Sequence, residues 1–475
     1  MTGTAARIKA RLGERLAPAG RFIEARPRAA VALFLAVFCL FYGLTLDHKG
    51  VGGGDELGYL RSAYHLVHQG VMSDTPHRED PQPTARRAPG YPFFLSLGIR
   101  LVPGLANHDF PCVFEFKRGA DQEPQALVWL KYMQAVLLLA TALMVGWLVL
   151  EFTGRRIPAY LALWLVGFHP FLMRYANRLY AETFGAFLMT ALTVALYLGL
   201  KRKRILPLVA AGLLLGCLTL TFSQWKLVGM VTVPSVLLYI LLTREKAARL
   251  LAGVVLMTVI WVSMFSYWEG RNEGLTGRRF LSAGGGAVLQ VRSMYDTMPW
   301  SAWFSSFAYW SRSPLLKNGL TRFVDKRYWV ALDRDDPEGV YRTARKHREE
   351  LAREMSFSDE KTRVEVNFRL LDESLKVIKA HPVRHLLTSI PVAFRSMMNP
   401  LFSVLYIAVY VLYLQAVWRA LRRRDWLLAV LLASPLALFG FNWLATHGLP
   451  RYSEQAAPLL VFGALMGWLR RKDAR

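Results

Sequence analysis

Cysteine, acidic residues and charge in general are scarce in this chain of 475 residues. There are 34 acidic residues against 59 basic ones, and only 20% of the chain is charged, whereas soluble proteins have about 25%. Two of the three cysteines, Cys39 and Cys217, lie in apolar runs, so Cys112 has no evident partner and we expect no structural disulfide. The chain has neither a Walker motif nor a dinucleotide fingerprint, which argues against the use of cytoplasmic ATP.

The chain is instead rich in long apolar runs, and 53% of its residues are hydrophobic. Such runs predict an all-α polytopic membrane protein with about ten transmembrane helices. The first run has no small-residue cleavage site behind it, so we expect an uncleaved first helix. The predicted spans are about 29–46, 127–150, 158–172, 183–200, 205–221, 227–242, 250–267, 400–418, 426–445 and 454–469.

The net charge of +25 is spread over short segments between the apolar runs, which is not typical of a nucleic-acid-binding surface. Basic residues in short loops mark the cytoplasmic side of a membrane protein. We therefore predict a multi-pass protein of a bacterial-type inner (plasma) membrane, with both termini in the cytoplasm, membrane lipids as neighbours and no nucleic-acid partner. The basic segments are 1–28, 155–156, 201–204, 243–249, 419–424 and 470–475.

Two long polar stretches are predicted on the exoplasmic side. Residues 47–126 form a first loop with two interfacial helices, at about 57–70 and 91–102, and residues 268–397 form a small, mainly helical segment. The predicted order is a cytoplasmic lead (1–28), helices one to seven with the first loop (29–267), the exoplasmic segment (268–397), helices eight to ten (398–469) and a cytoplasmic tail (470–475).

Asp55 and Glu56 are adjacent carboxylates that follow three glycines directly after the first predicted helix. Acids at the membrane edge are costly and commonly functional. Such a residue can activate an acceptor hydroxyl as a general base, or ligate a divalent cation. The alternative is that Asp55 is the N-cap of the helix that follows.

Several basic residues fall on the predicted exoplasmic side, against the positive-inside trend. The pair Arg86-Arg87 suits bidentate contacts to phosphate, with snorkelling to lipid headgroups as the alternative. Arg178 and Glu182 lie one helical turn apart, with a local ion pair as the alternative. Lys226, Arg451 and Tyr452 are further candidates, and an ordinary lysine without a function is the alternative for Lys226.

The ordered set of these motifs resembles the glycosyltransferase-C superfamily over nearly the whole chain. The set is a first helix, Gly-Gly-Asp-Glu-x-x-Tyr at 53–59, Arg-x-Pro-Gly-Tyr-Pro at 87–92, an acid before helix four, a late loop with His-Pro, and Arg-Tyr before the last helix. The most similar branch contains protein O-mannosyltransferases and the aminoarabinose transferases of lipid A.

The resemblance implies an enzyme that moves a hexosyl or pentosyl group from a polyprenyl-phosphate donor to a lipid, glycan or protein acceptor on the exoplasmic side. Asp55 matches the proposed catalytic base or metal-assisting residue of these enzymes, and Glu56 would support it. Arg87 matches a donor-phosphate ligand, and Arg451 would lie near the lipid phosphate. The expected substrate-binding residues are Tyr59, Arg86, Arg87, Tyr91, Arg178, Glu182, Lys226, Arg451 and Tyr452.

No cofactor is assigned, because Arg86 stands where some relatives carry an acidic metal ligand. A divalent cation held by Asp55 stays an open alternative. Two other functions also stay open. A flippase or transporter of lipid-linked sugars should have paired halves and broken helices, and an O-antigen ligase or polymerase should have a smaller first loop.

Overall fold

The computed structural model describes residues 17–47, 50–116, 124–244, 246–311, 314–355, 359–398 and 403–469. All regular elements in these residues are helices and none is a strand, which confirms the predicted all-α fold. Three predicted features lie outside the described residues: most of the basic lead (1–16), the start of the eighth span (399–402) and the tail (470–475).

The N-terminal part contains two helices and a loop that holds three more. Helix α1 spans 17–25 and α2 spans Pro27–Thr45. The loop contains α3 (Asp55–His68), α4 (Gly90–Leu101) and α5 (Pro111–Phe114). Helices α3 and α4 lie where the sequence predicts two short helices, and both contribute to one apolar cluster around Leu60, Tyr91 and Leu95.

Seven helices follow: α6 (Pro124–Thr153), α7 (Arg156–Gly167), α8 (Pro170–Ala176), α9 (Glu182–Arg202), α10 (Ile205–Thr221), α11 (Trp225–Thr243) and α12 (Ala247–Thr276). The helix predicted over 158–172 is interrupted, since α7 ends at Gly167 and α8 begins at Pro170. Proline has no N–H to continue a helix and disfavours a helical residue before it, and His169 is extended, with φ −69° and ψ 118°.

The segment predicted over 268–397, called the late segment from here on, contains only helices as regular elements in its described residues. Two of them are 3₁₀ turns, at Tyr295–Thr297 and Lys326–Leu332. The late segment contains α13 (Gly285–Met294), α14 (Trp300–Trp310), α15 (Pro314–Leu320), α16 (Val340–Glu354), α17 (Glu360–Ala380) and α18 (Pro382–Met397). The chain then returns through α19 (Ser403–Arg422), α20 (Trp426–Ala445), α21 (Arg451–Glu454) and α22 (Ala457–Trp468).

Six helices within the described residues are long and apolar enough to cross a membrane: α2, α9, α11, α12, α20 and residues Leu127–Thr153 of α6. Helices α7 and α22 have 12 residues each, which gives about 18 Å against a hydrocarbon core of about 30 Å. Helices lie at each of the predicted spans, but six of those in the described residues are long and apolar enough to cross a membrane. The total of about ten membrane-spanning helices therefore stays a prediction.

Glycines let neighbouring helices approach closely. A Cβ added to Gly467 of α22 would lie 2.0 Å from the carbonyl oxygen of Leu412 in α19, and one added to Gly212 of α10 would lie 2.6 Å from that of Met257 in α12. Helices in lipid associate through such close packing, because lipid tails are as apolar as the side chains. These contacts help to fix the relative positions of the helix ends around the site.

The helix ends that matter for function lie together at one end of the bundle. Helix α9 begins at Glu182, α10 ends at Thr221, α11 begins at Trp225 and α20 ends at Ala445. Because consecutive helices alternate in direction, the basic residues at 155, 203–204, 244 and 246 fall at the opposite end. The late segment packs over the end at which α9 and α11 begin and α20 ends, with α13 and α18 in contact with α20.

Backbone contacts join the late segment to residues 84 and 85 of the first loop. The Ala283 N–H donates to the Ala85 carbonyl at 3.1 Å, and the Ala85 N–H donates to Glu360 Oε1 at 2.7 Å. Arg271 Nη1 donates to the Thr84 carbonyl at 2.7 Å. These bonds hold the two arginines that follow, at 86 and 87, against the end of the bundle.

The two ends of the bundle should differ in access from outside the cell. In a variant with Cys39, Cys112 and Cys217 replaced by alanine, we expect Glu338→Cys to react with a membrane-impermeant maleimide on intact cells. We expect Arg202→Cys in the same background to react only after permeabilisation, because it lies beside a basic connection. The opposite labelling pattern would put the late segment in the cytoplasm and contradict the predicted topology.

Candidate active site

The carboxylate of Asp55 lies between two guanidinium groups at the start of α3. Arg87 Nη1 donates to Oδ1 at 3.2 Å, and Arg451 Nη1 donates to Oδ2 at 2.9 Å. The N-cap of α3 is Gly54, whose φ of 68° and ψ of −128° favour glycine, so Asp55 is the first helical residue rather than a cap. Each oxygen of Asp55 therefore contacts one arginine. Arg87 lies 32 residues and Arg451 lies 396 residues later in the sequence.

A second carboxylate, Asp74, orients the arginines of the first loop. Its Oδ2 accepts from Arg87 Nε at 3.4 Å and from Arg86 Nη1 at 3.5 Å, and its side chain is 8% exposed. Sequence analysis did not single out Asp74, because an acid in a loop has no periodicity or motif. Its distance from the basic pair along the chain could not reveal it either, since the loop folds back over 12 residues to bring Asp74 to Arg86.

Aromatic rings and one glycine fix the two guanidiniums that bind Asp55. The Arg87 guanidinium lies 4.8 Å from the centre of the Tyr59 ring, and that of Arg451 lies 5.3 Å from the centre of the Tyr452 ring. A Cβ added to Gly58 would lie 2.4 Å from Arg87 Nε, so only glycine leaves room for this arginine against α3. The pair is thus held in place by contacts on several sides.

A cavity of about 1170 Å³ opens beside this arrangement, between the helix ends and the late segment. Seven of the eleven predicted site residues line it: Asp55, Tyr59, Arg86, Arg87, Glu182, Arg451 and Tyr452. The turn between α10 and α11 and the end of α20 complete its membrane-side wall. The cavity therefore joins the bundle end to a space large enough for more than one ligand.

Charge around Asp55 changes its acidity. Burial by itself raises the pKa of the Asp55 carboxyl, but the charges and hydrogen bonds of Arg87 and Arg451 outweigh burial, and its pKa lies below the ordinary value. For Arg451, burial lowers the pKa, but the charges of Tyr452, Glu182 and Asp55 raise it above the ordinary value. At neutral pH the three groups are an ionised carboxylate and two guanidiniums.

Glu56 does not line the cavity. Its carboxylate is buried and accepts the N–H of Gly52 at 2.8 Å and the N–H of Leu179 at 3.1 Å. Burial raises the pKa of Glu56, and these two N–H groups lower it by less. Glu56 thus ties the glycine-rich lead of α3 to the connection between α8 and α9.

Three further predicted residues also lie outside the cavity lining. The Tyr91 hydroxyl is buried and donates to Gln134 Oε1 at 3.2 Å, and Gln134 Nε2 donates to the Arg178 carbonyl at 2.6 Å. Arg178 has an exposed side chain, and no ion pair between it and Glu182 is found in the described residues. Lys226 Nζ forms an ion pair with Glu269 Oε1 at 2.6 Å.

No known protein-family profile matches this chain, and no curated protein sequence does. Its structure matches that of the apo oligosaccharyltransferase from Archaeoglobus fulgidus with a TM-score of 0.50 and 14% identity, over 92% of this chain and 50% of the other. The chain has a glycosyltransferase-C fold. It spans about half the length of the oligosaccharyltransferase structures that it matches.

Two other solved structures are similar to this chain. One is the Archaeoglobus fulgidus oligosaccharyltransferase AglB in complex with an inhibitory peptide and a dolichol-phosphate, with a TM-score of 0.47 and 14% identity over 92% of this chain and 50% of the other. The other is ArnT from Cupriavidus metallidurans bound to undecaprenyl phosphate, with a TM-score of 0.36 and 17% identity over 92% and 76%.

The donor set of this site does not fit a divalent cation. Both oxygens of Asp55 already accept from guanidiniums, and Arg86 and Arg87 face the same space. The described residues contain no group of three or more potential metal ligands among histidine, cysteine and acidic side chains. We therefore assign the positive charge of this site to arginines.

Sequence analysis missed one whole wall of the cavity. Arg348, Arg353 and Arg363 from α16 and α17 line it, as does Gln455, whose Oε1 accepts the indole N–H of Trp225 at 3.0 Å. Helix α16 reads as an amphipathic helix with a solvated charged face. The sequence offers no signal that this face is turned toward a cavity.

Replacing Glu56 should reduce stability more than replacing a neighbouring exposed glutamate. Glu56→Ala leaves the N–H groups of Gly52 and Leu179 without their acceptor, at a cost of about 1–3 kcal/mol for each buried group. We expect a lower melting temperature in detergent for Glu56→Ala, and no change for Glu79→Ala, which is exposed in the same loop.

The sign of the pH dependence follows from the raised pKa of Glu56. Protonation of a group with a raised pKa favours the folded state, so its contribution is complete below the ordinary carboxyl pKa of about 4.3 and is lost as the pH rises through the raised value. The stability difference between the wild type and Glu56→Ala should therefore be larger in acid than at neutral pH. A difference that grows from acid to neutral pH would contradict this assignment.

Proposed function

We propose that this protein is a membrane glycosyltransferase that moves a sugar from a polyprenyl-phosphate donor to an exoplasmic lipid, glycan or protein acceptor. The observation that supports the proposal is the contact of Asp55 with Arg87 and Arg451 inside a large cavity at the end of a membrane-helix bundle. The first loop, about 80 residues long over 47–126, favours the branch of the O-mannosyltransferases and aminoarabinose transferases.

The position of the cavity suits a lipid-linked donor. Its lining includes Ser223 and Leu227, at the junction of α10 with α11, and Ala445 and Thr446, at the end of α20. A polyprenyl chain in the lipid beside these helices would carry its phosphosugar to the depth of the headgroups. The basic connections lie at the opposite end of the bundle, which by the positive-inside rule supports an exoplasmic position for the cavity.

Arg87 and Arg451 are the groups that we assign to the donor phosphate. A leaving phosphate gains negative charge in the transition state, and fixed cations that stabilise it usually supply the largest catalytic effect. Guanidiniums match phosphate oxygens with paired N–H donors. Before the donor binds, the single negative charge of Asp55 offsets part of the positive charge of these two cations. An incoming phosphate would compete with Asp55 for the same N–H groups.

Asp55 is the group that we assign as the general base. Its carboxylate takes the proton of an acceptor hydroxyl while the acceptor oxygen bonds to the anomeric carbon of the sugar. The bond between that carbon and the phosphate oxygen breaks, and the phosphate leaves with the electron pair toward Arg87 and Arg451. Once a phosphate neutralises these guanidiniums, the pKa of Asp55 rises from its lowered value, which makes it a stronger base when the donor is bound.

Replacing Asp55 should separate catalysis from donor binding. We expect Asp55→Asn to lower kcat by about 10²- to 10⁴-fold, because an amide cannot accept the acceptor proton. The two arginines remain, so binding of undecaprenyl phosphate should be kept or improved. The rate is measured as transfer of radiolabelled sugar from a polyprenyl-phosphate donor in membranes that contain the protein and its natural acceptors.

The matched control is Asp80→Asn, the same change at an exposed acid of the same loop, which should transfer sugar at the parental rate. Parental activity in Asp55→Asn would contradict the assignment of the base. Unchanged binding of undecaprenyl phosphate by Arg451→Gln would contradict the assignment of the phosphate site.

A further inference from the structure

The cavity has more positive charge than one phosphate needs. Within the described residues, six arginines and three carboxylates line it. Asp55 already lies between Arg87 and Arg451. Glu349 accepts from Arg345, which does not line the cavity, at 2.7 Å. Three of the six arginines, Arg348, Arg353 and Arg363, lie on the wall formed by α16 and α17.

The arginines of this wall differ from others on the same helices in what they contact. Arg345 and Arg369, which are not part of the cavity lining, each form an ion pair with a glutamate four residues later. Arg348 and Arg353 line the cavity and form no ion pair within the described part of the chain. Arg348 and Arg353 are thus two arginines of the cavity wall whose charge no carboxylate offsets at ion-pair distance in the described residues, since the lining carboxylate Glu349 pairs with Arg345.

Arg86 lies between the wall and the Asp55 site. Burial is the main cause that lowers the pKa of Arg86, and the like charges of Arg87 and Arg363 lower it further. Arg363 itself has a partner, Glu360, at 3.2 Å. Like charges held close together repel, and an anion bound between them would relieve that repulsion.

The wall is attached firmly enough to act as part of a binding site. Glu360, the first residue of α17, accepts from Ala85 N–H at 2.7 Å and from the Thr84 hydroxyl at 3.0 Å. Asn367 Oδ1 accepts the N–H of Gly286 at 3.0 Å, which joins α17 to the start of α13. The wall arginines are therefore held at a fixed position relative to Arg86.

We infer that Arg348, Arg353 and Arg363, with Arg86 at their edge, form a second anion-binding subsite for a phosphate group other than the leaving phosphate of the donor. Arginine is the side chain best suited to phosphate, because it offers paired N–H donors and keeps its charge. A volume of about 1170 Å³ exceeds the usual ligand pocket of about 300–1,000 Å³, so two charged groups fit at once. The subsite depends on the proposed function, which assigns Arg87 and Arg451 to the donor phosphate.

The second phosphate can come from two sources. An acceptor with a phosphomonoester would bring it from the side opposite the donor. A donor with a diphosphate linkage would carry it next to the leaving phosphate. Both use the same wall, and the probes described below separate them.

The test uses the full-length protein in detergent, saturated with undecaprenyl phosphate, and measures the binding of inorganic phosphate by calorimetry. We expect the wild type to bind phosphate in this state. The double variant Arg348→Gln/Arg353→Gln should bind it at least about tenfold more weakly, because charge-assisted hydrogen bonds are lost. Arg342→Gln/Lys346→Gln removes two charges from the same helix outside the cavity lining, and should bind phosphate as the wild type does.

Two results would overturn the subsite. One is the absence of phosphate binding to the saturated wild type, which would mean that a single anion site exists. The other is equal phosphate binding by the wild type and Arg348→Gln/Arg353→Gln. Arg348, Arg353 and Lys346 are exposed, and Arg342 is half-buried with an ion pair to Asp335 at 3.6 Å. Melting temperatures close to that of the wild type are expected for both variants and serve as the check on folding.

The source of the phosphate is tested with two lipid probes in mixed micelles. A diphosphate donor predicts that undecaprenyl diphosphate binds more tightly than undecaprenyl phosphate, and that Arg348→Gln/Arg353→Gln loses the difference. A phosphorylated acceptor predicts that phosphatidic acid binds together with undecaprenyl phosphate, again only with the wall arginines present. If undecaprenyl phosphate did not bind the wild type, the proposed function would be overturned instead. Inorganic phosphate binding, measured without the lipid, would then still compare Arg348→Gln/Arg353→Gln with its control Arg342→Gln/Lys346→Gln and so test the subsite by itself.

Discussion

The contact of one carboxylate with two guanidiniums organises the rest of this structure. Asp55 comes from the first loop, Arg87 from later in the same loop and Arg451 from just before the last helix. Two arginines brought together at the end of a membrane bundle would repel each other, and the carboxylate between them removes that cost. The same arrangement is ready to exchange Asp55 for another anion of similar geometry, which is why a phosphate suits the site.

Hydrogen bonds to the backbone, rather than charge, decide where these groups lie. Residues 84 and 85 are held by Ala283, Arg271 and Glu360, so the arginines at 86 and 87 are positioned by the late segment. Glu56 holds the opposite side by accepting from Gly52 and Leu179. The glycines before α3 give the chain its sharp entry, with φ 89° at Gly53, and the buried carboxylate limits their freedom.

The two large polar parts of the chain have different tasks in this arrangement. The first loop supplies Asp55, Tyr59 and Arg87, while the late segment supplies a wall of arginines and closes the cavity. Because basic residues of membrane proteins normally collect on the cytoplasmic side, arginines gathered around a cavity at the other end require a local reason. The two anion positions that we propose in this cavity would give that reason for both groups of arginines.

The sequence by itself determined the all-α architecture and the places of the helices, because apolar periodicity is a local feature that survives folding. That Asp55, Arg87 and Arg451 should lie together is an expectation from the resemblance, since no local pattern joins residues 32 and 396 positions apart. Only the tertiary structure decided which of two adjacent acids faces the cavity. Successive residues of a helix point about 100° apart, so Asp55 reaches two arginines while Glu56 reaches backbone N–H groups 123 residues away. The roles of Asp74 and of the arginines on α16 were likewise decided by packing between distant segments, since the face that a charged helix turns to a cavity depends on neighbours that its own sequence does not encode.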